Sequence, residues 1–389
     1  MAVGSQGDGL PMRIAYVAVS FLRSGTEQVI LDLACHFIRN GHQVWTVIPE
    51  LAGLNGMAEE AHGIGARVER VGPLHSEGHD AMRNGIELWR LFRRLRPDVA
   101  HFHVPWEPVC FESVAAAIAQ VPVRVRTEHN PALQAFSAKQ RLKMSVMDRS
   151  FSAIVYLSEG NRRSHVKNLG RRLKGSRIIG NGVDPRSITA DRSDSHRSAV
   201  RRRLNLPMDA VIPVMVGTLE QRKGPLDYVR AAHVASKINP AMHFAIVGDG
   251  DLWSATEQLA DELGIGDRVH LLGRRPDVRE LLSSFDMYVQ ASYYEGMSVA
   301  MLEALAAGLP MITTRVDGVE DVLPDGTGAL YVDIGDWSKL GESMTELAAK
   351  QDLRERLTAV SQRRVMSEFT VEAICQKYAR LYRRLGAPL

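Results

Sequence analysis

Glu295 and Glu303 are separated by seven residues and bracket an almost wholly apolar run, YEGMSVAMLEALAAGLPMIT from Tyr294 to Thr313. Burying an ionised carboxylate costs several kcal/mol unless it is paired or hydrogen-bonded. Glu303 in that run therefore points to a polar ligand, although a surface-facing glutamate or a structural ion pair would also place it there. Upstream stands Val216-Gly217-Thr218-Leu219-Glu220-Gln221-Arg222-Lys223-Gly224-Pro225. A strand ends in glycine, an Arg-Lys pair follows, and a helix starts at the proline. Helix N-termini and adjacent cations attract phosphate. Arg222 offers a fork for phosphate oxygens and Lys223 a point charge; a solvated basic turn has the same composition. Glu295-Gly296-Met297-Ser298 is a second strand-to-helix turn. Gly296 admits a ligand close to the backbone, and the N–H groups of Met297, Ser298 and Val299 are free donors at the helix start. The chemistry this implies is the holding of a diphosphate between two turns. Val247-Gly248-Asp249-Gly250 ends a further strand and is expected to close over the nucleotide. No G-x-G-x-x-G occurs, which argues against a dinucleotide-dependent oxidoreductase.

His101 and His103 flank Phe102 at the end of an apolar strand, and Glu128-His129-Asn130 ends the next. Both sites are expected to face a ligand, His129 as a contact to a sugar or leaving phosphate, with hydrogen-bonded loop histidines as the alternative. No third ligand has a spacing that makes His101 and His103 a metal site. Ser24-Gly25-Thr26-Glu27, between the first strand and first helix, could present backbone amides to a substrate, or simply cap the helix.

The elements that must position these groups alternate. Strands are expected at 13–20, 43–49, 67–71, 98–103, 123–128, 153–158 and 177–179, with helices at 29–40, 86–95, 111–120 and 138–149. A second series has strands at 211–217, 243–248, 269–272, 287–291, 311–314 and 330–332, with helices at 225–238, 256–263, 278–285 and 298–307. This βαβ rhythm, twice over, predicts an α/β protein with two Rossmann-like, doubly wound parallel sheets, whose ligands lie beyond the carboxyl ends of the strands. We expect a disordered leader at 1–11, one domain at 12–183, a linker at 184–200, a second domain at 201–365, and a C-terminal helix at 366–389 packing back toward the first domain. The set Ile374, Tyr378, Leu381, Tyr382 and Leu385 forms a stripe that needs a surface to bury against.

At 389 residues, 45% hydrophobic and 24% charged, the chain suits two or three globular domains. No apolar window is long enough to span a membrane and the N-terminus has no secretory pattern. Cys35, Cys110 and Cys375 are far apart, as reduced thiols in a cytoplasmic protein would be. The net charge of +3 hides an asymmetry: residues 1–180 hold 23 Lys and Arg against 16 Asp and Glu, and the remainder 25 against 29. A basic first half suits an anionic partner, as does the run containing Trp89, Arg90, Phe92, Arg93, Arg94 and Arg96; an amphipathic helix with a basic outer face reads the same way. Basic residues are not interleaved with aromatics in a stripe, which disfavours nucleic acid.

Together these residues resemble the GT-B retaining glycosyltransferases of family 4, from Met12 to Arg384. The marks are SGTEQVILDLACHF with NGHQV, DVAHFH, TEHN, NGVD, VGTLEQRKG, VGDGD, LLGRRPDVRELLSSFDMYVQAS and EGMSVAMLEALAAGLPMI. The resemblance implies two domains facing across a cleft and a hexose moved from a nucleoside diphosphate sugar to a hydroxyl of a glycan or lipid-linked acceptor. That transfer would retain configuration, in cell-surface polysaccharide assembly. It implies that Glu303 binds the nucleotide ribose, that Glu295 holds the donor sugar, and that Arg222 and Lys223 stabilise the departing diphosphate. His129 would stand near the donor sugar and Gly25 would approach phosphate or sugar. Thr218, Gly248, Gly296, Met297, Ser298 and Val299 complete the donor-binding set. No metal or other cofactor is implied, because fixed cations and amides take that role. Thr218 stands where the family often has arginine, and Ser24 where it has the first of two glycines. A cytoplasmic protein, with peripheral contact to an anionic membrane, is expected. A 2-epimerase that adds nothing to an acceptor, and an inactive nucleotide-sugar-binding subunit, share the same motifs.

Overall fold

A computed structural model describes residues 10–19, 25–72, 79–104, 111–171, 175–188, 193–324 and 327–388. The leader up to residue 9, Ser24, Cys110 and part of the expected linker, 189–192, lie outside the described residues. The chain divides into two compact units, Met1–Gly182 with Val371–Leu389, and Val183–Thr370.

In the first unit the order is β1 (Arg13–Ala18), α1 (Gly25–Arg39), β2 (Gln43–Pro49), α2 (Asn55–Gly63), β3 (Arg67–Val71), α3 (His79–Leu95), β4 (Val99–Val104), α4 (Phe111–Ile118), β5 (Val123–Glu128), α5 (Ala138–Asp148), β6 (Ala153–Tyr156), α6 (Glu159–Leu169) and β7 (Ser176–Ile178). The second unit runs α7 (Asp194–Arg203), β8 (Pro213–Val216), α8 (Pro225–Ile238), β9 (Phe244–Val247), α9 (Trp253–Glu262), β10 (Val269–Leu271), α10 (Val278–Leu281), β11 (Met287–Gln290), α11 (Val299–Ala306), β12 (Met311–Thr314), α12 (Asp317–Glu320), β13 (Ala329–Val332), α13 (Trp337–Ala349) and α14 (Gln351–Glu368). Last comes α15 (Val371–Arg384), which belongs to the first unit and packs on α1.

Both sheets are parallel throughout the described ladders, in the orders β3-β2-β1-β4-β5-β6-β7 and β10-β9-β8-β11-β12-β13. Strand order reverses between β1 and β4 and between β8 and β11. Crossovers leave to opposite faces at such a point, and a crevice opens at the strand carboxyl ends. The central strands are buried on both faces: all six residues of β4 and all four of β11 are buried.

Several elements differ from expectation for local reasons. The helix expected at 278–285 is α only to Leu281 and then a 3-10 turn, because Ser283 and Ser284 donate their hydroxyls back to Glu280 O (2.9 Å) and Leu281 O (2.7 Å). The stretch expected to link the domains holds a 3-10 turn at Pro185–Ser187 and most of α7. That helix is tied to the second unit by the buried Arg201, which donates to Ala210 O (2.8 Å) and to Asp286 (2.9 Å). On α3, Leu88, Leu91, Phe92 and Leu95 are buried while Arg90 and Arg93 are exposed, as is Arg96 just after the helix, and Arg94 pairs with Glu69 at 2.6 Å.

Candidate functional site

The switch point of the second unit places the loops after β8 and β11 side by side. Tyr293 N–H donates to Arg222 O (2.8 Å), joining one loop to the other. Gly224, at φ +66°, lies so close to Ala291 that a Cβ would stand 2.2 Å from its carbonyl oxygen; only glycine fits both constraints. Arg222 and Lys223 occupy a 3-10 turn at Gln221–Lys223, which delivers both cations to Glu295. Lys223 Nζ donates to Glu295 Oε1, Arg222 Nη1 to Glu295 Oε2 at 3.3 Å, and Ser292 Oγ to Glu295 Oε1 at 2.9 Å. Arg222 also pairs with Glu220 at 2.8 Å. The two turns read separately from the sequence thus form one cluster of two cations around one carboxylate.

Glu295 is 4% exposed. Burial would raise its carboxyl, but Lys223 and Arg222 outweigh that and hold it below the usual carboxylate range. Burial pulls the Lys223 ammonium down, and Glu295 restores only part of the loss. Gln290 lines the same hollow as Lys223, Ser292 and Glu295, and its buried amide has no hydrogen-bond partner among the described residues.

Glu303 is 6% exposed, and its partner is one the sequence did not reveal. Arg279 Nε donates to Glu303 Oε1 at 2.7 Å and its Nη1 to Ser187 Oγ at 2.9 Å. The signal was present in RRPDVRELL, an arginine inside an amphipathic run, but nothing local says which carboxylate it meets. Ser298 caps α11 by accepting from Met301 N–H (3.3 Å), so its side chain is engaged at the helix start. Gly318 would carry a Cβ 2.3 Å from Gly296 O, which presses the Gly296–Met297 backbone onto α12. Thr218 is exposed. Gly248, expected over the nucleotide, packs one loop on another: its Cβ would stand 1.9 Å from Gly217 O, and Leu219 N–H donates to Asp249 O at 3.0 Å.

In the first unit, Gly25 is the exposed first residue of α1, four residues before the expected helix start. His101 and His103 do not face a ligand. Alternation along β4 puts both on one sheet face, and α15 covers that face: His101 Nδ1 meets Tyr382 Oη (2.6 Å), its Nε2 meets Thr127 Oγ1 (2.7 Å), and Thr127 meets Tyr378 Oη (3.1 Å). His103 Nδ1 bonds His129 Nε2 at 3.0 Å, and His129 is itself buried. The apolar stripe on α15 finds its surface here, with Tyr378 and Tyr382 carrying hydroxyls to a polar row.

Burial pulls His129 down to about 4, against the opposing pull of Glu128. Burial likewise brings His165 to about 4 and holds His101 and His103 well below their ordinary value. These imidazoles fold neutral, whereas in the unfolded chain they take up protons below about 6.5. Protons therefore favour unfolding as pH falls from about 6.5 to about 4. We expect the melting temperature to fall steadily across that interval; a flat profile by scanning fluorimetry would show that the histidines are solvated.

With this geometry in place, the two units each show the parallel, doubly wound sheet of a GT-B protein. Residues 196–364 match the family described as glycosyl transferases group 1, and residues 23–187 the family described as glycosyltransferase family 4. The chain belongs to this GT-B glycosyltransferase family. It is 30% identical over 181 residues to a lipopolysaccharide core biosynthesis glycosyltransferase, LpsE, of Rhizobium meliloti, covering 46% of this chain and 52% of that protein. It is 26% identical over 263 residues to an Escherichia coli UDP-Gal:alpha-D-GlcNAc-diphosphoundecaprenol alpha-1,3-galactosyltransferase, covering 66% and 67%. The chain thus spans about half the length of the first of these relatives. Among solved structures, Anabaena HepE in complex with UDP and glucose superposes with a TM-score of 0.80 at 18% identity, over 96% of this chain and 99% of that one.

Proposed function

We propose that this chain is a retaining, metal-independent glycosyltransferase that moves a hexose from a UDP-sugar to a hydroxyl of a glycan or lipid-linked acceptor in cell-surface polysaccharide assembly. It would act in the cytoplasm in peripheral contact with an anionic membrane. The observation that carries the reading is the cluster of Arg222, Lys223 and Glu295 at the switch point. It sets two cations where a diphosphate would depart and one carboxylate where sugar hydroxyls would be held. The names of the Escherichia coli relative and of the UDP-bound neighbour support the donor class, and the name of LpsE supports the polysaccharide setting. Among the described residues no helix is long and apolar enough to cross a membrane.

In the proposed step the bond from the anomeric carbon to the diphosphate breaks, and the electron pair leaves with the diphosphate. The acceptor oxygen bonds to the same face of an oxocarbenium-like carbon and passes its proton to a leaving phosphate oxygen. Arg222, Lys223 and the amides of Met297, Ser298 and Val299 stabilise the growing negative charge. Glu295 binds sugar hydroxyls, His129 contacts the donor sugar, and Gly25 approaches phosphate or sugar. Glu303, oriented by Arg279, accepts from the ribose.

The test is a thermal-shift panel of UDP-, GDP-, ADP- and dTDP-sugars with EDTA present. A ligand that binds only the folded state raises its apparent stability, so UDP-sugars are expected to raise the melting temperature and the others to leave it unchanged. Absence of any shift would overturn the donor assignment. In the same assay Glu303→Ala removes a charge-assisted bond worth about 1.5–3 kcal/mol, so UDP affinity should fall by about 10- to 100-fold. Unchanged affinity would remove Glu303 from the ribose site.

A further inference from the structure

A cavity of about 210 Å³ lies in the first unit between β7 and α15, and none of its lining residues belongs to the Arg222–Lys223–Glu295 cluster. It is lined by four cationic residues, Arg177, Lys377, Arg380 and Arg384, and three apolar ones, Ile178, Ile179 and Leu381. We infer that it is a binding pocket for the phosphodiester headgroup of an anionic phospholipid. The inference deepens the peripheral-membrane part of the function proposed above, rests on it, and involves none of the donor-site residues.

Lys377, Arg380 and Arg384 follow helical spacing and form one outward stripe of α15, opposite the face that buries Ile374, Tyr378, Leu381 and Tyr382. Arg177 meets them from another element, the edge strand β7. A helix C-terminus attracts cations by its dipole, which accounts for Arg384 but not for Arg177 or for Lys377 two turns back. Arg177 donates to the adjacent Ser176 O at 2.8 Å, and neither it nor Arg380 nor Arg384 pairs with a carboxylate among the described residues. Arg177, Arg380 and Arg384 bring like charges to one hollow, and an entering anion relieves their mutual repulsion. The surrounding unit sustains the attraction: residues 1–182 and 371–389 hold 27 Lys and Arg against 17 Asp and Glu, while residues 183–370 hold 21 against 28.

The apolar lining selects among anions. Ile178 is 41% exposed, a large apolar side chain at the rim of a cationic pocket. Inorganic phosphate has no use for it, whereas the glyceryl and first acyl carbons of a phospholipid would cover it. No aromatic side chain lines the hollow, so a nucleic-acid base has nothing to stack on. Clustered Lys and Arg beside apolar side chains are the chemistry that holds proteins to anionic leaflets.

The test is co-sedimentation of the full chain with vesicles of phosphatidylcholine alone or mixed with phosphatidylglycerol. Wild type is expected to sediment with the anionic vesicles only, and less so at high salt. Arg380→Glu with Arg384→Glu should lower that partition by on the order of tenfold or more, and Arg177→Glu, on the other element, should lower it as well. Arg90→Glu with Arg93→Glu, exposed on α3, should retain most of the binding. Each variant is first checked for an unchanged melting temperature and for the UDP-sugar shift, so that loss of the donor reading and loss of this one are separable. The inference is overturned if wild type ignores anionic vesicles, if the α15 and β7 variants bind like wild type, if the α3 variant loses as much, or if inorganic phosphate alone stabilises the pocket without vesicle binding.

Discussion

Lys223→Ala is expected to slow sugar transfer by about 10²–10³-fold, the loss typical when one preorganised group that stabilises developing negative charge is removed. The geometry makes Lys223 suited to this. Its ammonium is held inside the second unit against Glu295, where low polarity lowers its proton affinity and strengthens its pull on any anion that replaces water. In the ground state Glu295 takes that charge; as the diphosphate departs, the new anion shares it. Removing Lys223 leaves Glu295 with Arg222 at 3.3 Å and the Ser292 hydroxyl at 2.9 Å, so the carboxylate keeps partners and the fold should persist. The effect should fall on kcat more than on UDP affinity, because the interaction strengthens only as charge develops. Lys223→Arg should not restore the rate, since a forked guanidinium does not reproduce a point charge. Steady-state kinetics with a UDP-hexose, using donor hydrolysis until an acceptor is in hand, provides the measurement. A turnover within a few-fold of wild type would exclude Lys223 from leaving-group stabilisation.

Glu128→Ala is expected to be the most destabilising single change outside the donor site. Glu128 is buried between Arg126, at 2.5 Å, and Arg171, which also holds Asp148 at 3.0 Å. Burial would raise its carboxyl, yet the two guanidiniums hold it far below the usual range. Asp148 is raised because burial outweighs the pull of Arg171 and Arg126. Taking Glu128 away leaves two guanidiniums buried without their shared anion, at a cost of about 3–5 kcal/mol. At roughly 2–4 °C per kcal/mol for a unit of this size, the melting temperature should drop by about 10 °C. Glu128→Gln keeps an acceptor without the charge and should fall between. Because the folded pKa is depressed, the contribution of Glu128 is complete above the unfolded carboxyl value of about 4.3 and is lost as pH falls toward the folded one. The gap between wild type and variant should therefore be full at neutral pH and narrow only in strong acid. A gap below about 1 kcal/mol by urea titration at neutral pH would show that water reaches the arginines.

Much of the scaffold was legible locally. Strands such as β1 (RIAYVA), β2 (QVWTVIP) and β9 (FAIV) were readable because mostly apolar runs bounded by glycine or polar turns have few other uses. Helices α2, α6, α7, α12 and α13 are not among the expected elements. EGNRRSHVKNL in α6 has too little apolar content to show a period, and it is held by Asn161, which donates to Glu128 O at 3.0 Å, and by His165, which meets Asn130 O at 3.0 Å. Those partners lie about 35 residues away in the chain, beyond any window of local pattern. The start of α1 was read late because Gly25 and Thr26 are poor helix formers, and packing of the buried Thr26 and Glu27 overrides that weak preference.

For the donor site, the sequence by itself determined the residue types at two turns and the strand ends that carry them, because a turn's chemistry is local. It did not determine that Arg222 and Lys223 would close on Glu295, that Arg279 would hold Glu303, or that His101 and His103 would be taken into the interior by Tyr378 and Tyr382. Each of those contacts joins residues 24 to 281 positions apart. Only the reversal of strand order brings the loops after β8 and β11 together, and only the return of α15 to the first unit turns a pair of strand-end histidines into a buried hydrogen-bond network. Charge and hydrogen-bonding capacity belong to the residue, but the partner that satisfies them is set by packing, and packing is fixed by the whole chain.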